Sequence, residues 1–397
     1  MSRCIGVGER RARLAVRHHL APAARTADVV TVARDLVALH ATDPSTVYLA
    51  ARARVRSPAV ADVSRALYDE RALVRILGMR RTMFVVPVEL MPVVQAACTR
   101  AIAVVERRRT VQFLAQSGIS ADPAAWLAEV EEATVAALAR RGEALSVELS
   151  ADEPRLATQI RFGEGKSYAA SQSVASRVLP LLAAHGRVVR GRPRGSWTSS
   201  QYRWSTVAAW LPAGLPELEP EDARVELARR WLGAFGPAPV ADLKWWSGWT
   251  LGQTRAALSA IGPVEVDLDG EPGVALADDL APTPVPEPHA VLLPALDPSV
   301  MGWQARGWFL GGHKESLFDT NGNAGPTVWW DGRVVGGWAQ RGDGEIVFRL
   351  LEDVGAAAAT AVAAEAARLQ EWMGPIRVTP RFRTPLERTL SAGAGSP

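Results

Sequence analysis

The hexapeptide Leu39-His40-Ala41-Thr42-Asp43-Pro44 sets an imidazole, a hydroxyl and a carboxylate within four residues, in a chain with only 6 His. It follows an amphipathic helical pattern with Val29, Val32, Ala33, Leu36 and Val37 on one face. An imidazole titrates near pH 6.5, so His40 can serve as a general base. Thr42 has neither carboxylate nor amide and is no general base at neutral pH. Asp43 can be one, but on a helix it would point about 100° away from Thr42. The chemistry on offer is proton transfer by a general base.

Cations form the second group. Gly186 to Trp197 places Arg187, Arg190, Arg192 and Arg194 in a Gly/Pro-containing hairpin tip after a candidate recognition helix. Such a tip can reach phosphates, and each one neutralised releases a counterion; the plain alternative is a solvated hairpin. Arg80-Arg81 make a second cluster. Arg52, Arg54 and Arg56 alternate with Ala53 and Val55, which on a strand would put three guanidinium groups on one face. Arg107-Arg108-Arg109 read as a solvated helix face. His313 and Lys314 lie in a Gly-rich loop, either a minor-groove hairpin or a long β-turn. Asp297, followed by Pro298, reads as a turn cap. Trp303, Trp308, Trp329, Trp330 and Trp338 could stack on an extruded base, or simply fill a core.

Composition narrows the classes. Of 397 residues, 48% are apolar and 22% charged, as in an ordinary globular protein. No apolar run is expected to reach the ~18 residues that span a bilayer, and the first ten residues are too charged for a secretory signal. Cys4 and Cys98 have no partners at metal-ligand spacing, and a reducing, cytoplasmic and nucleoid-associated setting fits them. The net charge is +3, from +11 over residues 1–200 and −8 over residues 201–397. That asymmetry suggests a polyanion-binding face. Arg far outnumbers Lys, which suits phosphate forks and equally follows from codon bias. There is no Walker motif, GxGxxG after a strand, HExxH or CxxC, so neither a nucleotide cofactor nor a metal is expected.

Three stretches repeat helix, helix and two short strands, the pattern of a winged helix-turn-helix. In the first, Val29 to Leu39 and Val60 to Tyr68 precede the β-branched run Thr82 to Val86. The second sets Ser146 and Ser171 to Ala184 before Arg187 to Arg190 and Trp197 to Trp204. In the third, Pro239 to Trp246 and Thr250 to Ile261 precede Val264 to Leu268 and Val274 to Leu276. Thr250 is the expected N-cap and Gly262 the C-cap. A helical connector covers Leu90 to Arg141. After the proline-rich Ala281 to Pro288 the pattern turns to β: Ala290 to Leu293, Gly307 to Leu310, Thr327 to Trp330, Arg333 to Trp338 and Ile346 to Leu350, with a hairpin signal at Asp331-Gly332. Ala356 to Met373 is a final helix. The expected domains are 1–90, a connector 91–141, 142–215, 216–280 and 281–397.

Five segments resemble the AlkZ- and YcaQ-like winged-helix DNA glycosylases over nearly the whole chain and in the family's order. They are Leu39 to Pro44, Met79 to Pro87, Leu292 to Pro298, Pro326 to Trp338 and Arg381 to Arg388. The resemblance implies an α+β fold of three tandem winged-helix motifs around a C-terminal β-barrel, forming a concave DNA-binding cleft. It also implies a catalytic element, Gln-hydrophobic-Gln or Gln-hydrophobic-Asp, that holds water against the sugar carbon of an alkylated nucleotide. The matching positions are His40, Ala41 and Thr42, so both outer residues differ; Phe84 stands where the family commonly has His. The expected partner is duplex, branched or damaged DNA, bound by a monomer, with no membrane. The leading expectation is a DNA-binding protein with weak or no base excision. The second is an active glycosylase with His40 positioning water, and the third a winged-helix transcriptional regulator.

Overall fold

The computed structural model describes residues 3–162 and 170–392. The chain forms two compact units: one takes the chain up to Val63 and again from Arg224 onward, the other is Ser64–Ala223. The architecture is mixed α+β.

In the first unit the helix Pro44–Arg52 begins where local chemistry says it should. Pro44 occupies the first turn, and the Asp43 carboxylate accepts from Ser45 N. The four-stranded antiparallel sheet runs in the order Ala290–Leu293, Thr327–Trp330, Arg333–Gln340, Ile346–Leu350. Asp331 (φ 47°) and Gly332 (φ 74°) make the tight turn between its middle strands. Both central residues need positive φ, which an Asp-Gly pair tolerates.

The C-terminal region is therefore an open meander and not the expected closed barrel. Its first and last strands are edges, and four strands are too few to close around a filled interior. The helix Gly355–Met373 covers one face instead, packing Val362, Ala366, Leu369 and Met373 against Leu292, Val328, Val335 and Trp338. Leu49, from Pro44–Arg52, enters the same core. The segment Gly307–Leu310, expected as a strand, is one turn of helix.

The Arg52/Arg54/Arg56 strand is also overturned. Arg52 ends the helix Pro44–Arg52, and only Arg56 is exposed. A period-two spacing of five residues does not outweigh two buried carboxylates. Arg52 pairs with buried Glu365. Arg54 forks onto Asp297, Nη1 to Oδ2 at 2.9 Å and Nη2 to Oδ1 at 2.6 Å. Arg13 and Arg17 meet Asp279 at 3.1 and 2.5 Å. The basic N-terminal stretch thus folds onto acids from the far end of the chain. The first unit holds 25 cations and 25 acids, the second 20 and 17. Four cations of the basic half of the sequence are thus paired inside the first unit.

Beside the fork runs a buried hydrogen-bond chain. Arg54 Nη2 donates to Ser299 Oγ at 2.8 Å, Ser299 Oγ lies 2.8 Å from His18 Nδ1, and His18 Nε2 lies 3.1 Å from Ala234 O. A carbonyl only accepts, so the proton sits on Nε2 and Nδ1 accepts from the serine. Burial, and then the Arg54 charge, hold the imidazole well below its usual titration range. In the unfolded chain it protonates near pH 6.5. Above that value folded and unfolded states bind alike; below it the unfolded state takes up the extra proton, and stability falls with pH. We expect urea midpoints of the wild type to decline from about pH 6.5 downward more steeply than those of His18→Gln, whose amide can keep both hydrogen bonds. Equal slopes would remove His18 from the acid response.

The second unit is built on the hairpin Leu73–Leu77 with Met83–Pro87 and on the helices Arg100–Gln116, Pro123–Arg141 and Ala175–Ala184. The paired strands Val188–Pro193 and Tyr202–Thr206 follow. Its core joins Leu114, Leu127, Val130, Val178, Leu182 and Trp204. Contrary to the expectation of no membrane-length apolar run, the helical stretch Val88–Gln116 holds an 18-residue window long and apolar enough to span a bilayer, with a mean hydropathy of 1.5. In the fold 61% of that window is buried inside the protein, the position of a core helix.

Candidate functional site

His40 ends the two-residue strand Leu39–His40 and is buried, Ala41 is buried, and Thr42 is half-buried. Asp43 has extended backbone, φ −99° and ψ 122°, so the helical offset expected between Thr42 and Asp43 does not apply. Asp43 Oδ1 accepts from Ser45 N at 3.2 Å and from Ser45 Oγ at 2.7 Å. Its Oδ2 accepts from Arg381 N at 3.1 Å. One carboxylate therefore starts the helix after the motif and ties it to the segment Arg381 to Arg388. Next to it, Thr46 Oγ1 donates to Ala295 O at 3.0 Å. The Arg54–Asp297 fork pins the other end of the same helix to the same loop, where Asp297 caps Pro298–Met301.

These ties enclose a small pocket of about 20 Å³ beside Asp43, Ser45 and Thr46, closed by Ala295, Trp338 and Pro380. Sites of this size hold one water; a nucleobase does not fit. A carboxylate has about four acceptor positions, and three donors already meet Asp43, so it keeps room for one more. The pocket draws on four of the five segments that carried the resemblance, or their immediate neighbours. Residues so far apart in sequence converge only because the helix Pro44–Arg52 is held at both ends.

The cationic candidates have different surroundings. Arg187 pairs with Glu132, Nη2 to Oε2 at 2.8 Å. Arg190 is half-buried over Trp204, 5.2 Å from the ring centre, and burial pushes its guanidinium down to about 10. Arg192 meets Asp69 at 2.6 Å and lies 5.1 Å over Tyr68. Arg194 is exposed at the turn, with its backbone N donating to Gln201 O at 2.8 Å. The hairpin tip thus offers Arg192 and Arg194 to solvent more than Arg187 and Arg190. Arg80 is half-buried, and desolvation lowers its guanidinium to about 10. Arg81 is exposed and reaches Glu106 at 2.6 Å.

His313 and Lys314 belong to the first unit. His313 is half-buried, 3.5 Å from Glu352, and precedes the short helix Lys314–Leu317, whose Lys314 is exposed. His313 and Lys314 themselves enter a helical turn, and the tight turn follows it, where Phe318 pairs antiparallel with Ala324 and Gly322 N donates to Asp319 O at 3.1 Å. Trp303, Trp329 and Trp338 are buried, and their indole N–H groups donate to Phe235 O, Thr327 Oγ1 and Leu293 O. Trp329 stacks on Phe309 at 5.2 Å. A ring with its N–H satisfied inside a core is not presented to a base. Sequence reasoning missed the anchoring role of Arg54 and Arg381, since each acts on a residue hundreds of positions away.

The sequence matches the AlkZ-like DNA glycosylases over residues 33–372. The chain belongs to that family, and family membership implies DNA as its partner. Among solved structures its fold is similar to that of the Streptomyces sahachiroi DNA glycosylase AlkZ. The TM-score is 0.71 at 21% identity, with 95% of this chain and 99% of that chain covered. No curated protein gives a significant match.

Proposed function

We propose that this protein binds DNA at a damaged or structurally distorted site, as a monomer, with weak or no excision of the base. Its three helix–helix–hairpin stretches are read as winged-helix units, and the hairpin carrying Arg192 and Arg194 as the wing that touches phosphates. The observation that carries the reading is the motif itself within a member of a glycosylase family. Thr42 supplies no carboxylate or amide, and the Asp43 carboxylate is engaged in holding the helix and Arg381. A site so occupied keeps the family's scaffold without its water-activating pair.

One feature favours the second reading, an active glycosylase. The single-water pocket beside Asp43 leaves one acceptor position open, and an alkylated, cationic base is a good leaving group. A paired measurement separates the two. Duplex, single-stranded, junction and alkylated DNA are titrated, and the alkylated samples are tested for abasic sites. Tight binding to one DNA form without abasic sites is expected; abasic sites lost in His40→Ala would establish the second reading. A single palindromic high-affinity sequence would instead point to a regulator. Replacing Arg192 and Arg194 together by Ala is expected to lower the salt slope of log K by about 2, one unit for each lost phosphate contact. An unchanged slope removes the hairpin from the interface.

A further inference from the structure

The second unit has a pocket that plays no part in the site above. Its walls come from the turn before Met83–Pro87 and from the helices Arg100–Gln116 and Ala175–Ala184, and its volume is about 190 Å³. Leu77, Pro180 and Leu181 make an apolar floor, with Arg81, Arg177 and Ser176 on the rim. Glu106 stands among the cations. Its Oε1 accepts from Arg81 Nη2 at 2.6 Å and lies 3.3 Å from Arg109 Nη1.

Arg177 is held 4.9 Å over the Phe113 ring, which orients its guanidinium plane. Burial lowers its pKa first; Glu106 raises it, and Arg81 and Arg109 lower it, so the four charges act on one another. Arg81 and Arg109 share the Glu106 carboxylate, and Arg177 on the cavity wall feels its charge without pairing to it, so cations outnumber the one acid here. The backbone adds a second observation. Arg80 and Arg81 are consecutive non-glycine residues in the left-handed region, φ 52° and 59°. Such strain persists only where the surroundings impose it, and it concentrates at ligand clamps. Here it delivers Arg81 to Glu106.

We propose that this pocket binds one phosphodiester of a DNA strand, with the sugar on the apolar floor and the phosphate displacing Glu106 from Arg81 to join Arg109 and Arg177. Glu106 is then a resident counter-anion that competes with DNA. The proposal rests on the DNA-binding reading above. It differs from a purely structural ion-pair cluster in the sign of one substitution.

The test uses the full chain and a labelled duplex, with anisotropy titrations across a range of salt. Arg177→Ala is expected to lower the salt slope by about 0.9, which is roughly 8-fold weaker binding at about 0.1 M salt when the limit at 1 M is unchanged. Glu106→Gln is expected to tighten binding, because the phosphate no longer has an anion to displace. Inorganic phosphate at matched ionic strength is expected to compete more strongly against the wild type than against Arg177→Ala. Thermal melts show that each variant is folded. Glu106→Gln that binds DNA no better than wild type, with an unchanged slope in Arg177→Ala, overturns the pocket while leaving DNA binding intact. A wild type that binds no DNA overturns both readings. Phosphate binding that depends on Arg177, without any change in DNA affinity, makes free phosphate the occupant and rejects the phosphodiester.

Discussion

Arg54→Met is expected to destabilise the first unit by about 3–5 kcal/mol, the usual cost of leaving one member of a buried ion pair behind. Both partners are fully buried. Arg54 makes four hydrogen bonds: two to Asp297, one to Ser299 Oγ and one to Ala50 O at 2.8 Å. Without it the Asp297 carboxylate keeps only the Ser299 N–H at 2.9 Å. A domain is stable by about 5–15 kcal/mol in all, so the loss is a large fraction of the total. At a urea slope of roughly 1–3 kcal/mol/M the midpoint falls by at least about 1 M. Arg54→Lys is expected to rescue little, since a single ammonium cannot reproduce a planar fork to Asp297 with further bonds to Ser299 and Ala50. Arg54→Met combined with Asp297→Leu should recover most of the loss, because it removes both buried charges. A single Arg54→Met variant within about 1 kcal/mol of wild type would mean that water reaches Asp297, and that the pair does not hold the helix Pro44–Arg52 to its loop.

That pair also marks where the sequence stops being legible. Elements announced by local chemistry were readable: Ala290–Leu293 and Ile346–Leu350 lie where their β-branched and apolar runs put them, Asp331-Gly332 turns the hairpin, and Thr250 and Gly262 cap Leu251–Ile261. Arg54 was not. Its spacing with Arg52 and Arg56 imitates a strand face, and its carboxylate lies 243 residues on. The open sheet was equally hidden. Strand runs say where strands are and not whether the last pairs with the first, and the covering by Gly355–Met373 is a tertiary fact. At the site, residue types named His40, Thr42 and Asp43 as candidates. The tether that engages Asp43, the Arg381 backbone 338 residues away, has no local signature. Charge was misleading for the same reason: the basic N-terminal stretch reads as a polyanion surface until folding supplies Asp279, Asp297 and Glu365.

Thr42→Asp is expected to raise the release of alkylated purines by about 100-fold or more, the lower end of what a positioned general base contributes. Position 42 is half-buried and precedes Asp43, whose carboxylate lines the single-water pocket. The Asp43 carboxylate stays committed to Ser45 and Arg381. The family resemblance implies an acid at this position in one branch, so the substitution supplies the residue type that branch uses. Abasic sites are counted by alkaline cleavage of an alkylated duplex, with DNA affinity measured alongside. A gain in cleavage at unchanged affinity means that the scaffold still aligns water and sugar carbon, and that Thr42 is what withholds excision. No gain, with affinity intact, means that the site does not hold water against the sugar. Excision already present in the wild type and lost in His40→Ala would instead make the imidazole the working base, and Thr42→Asp would then add little.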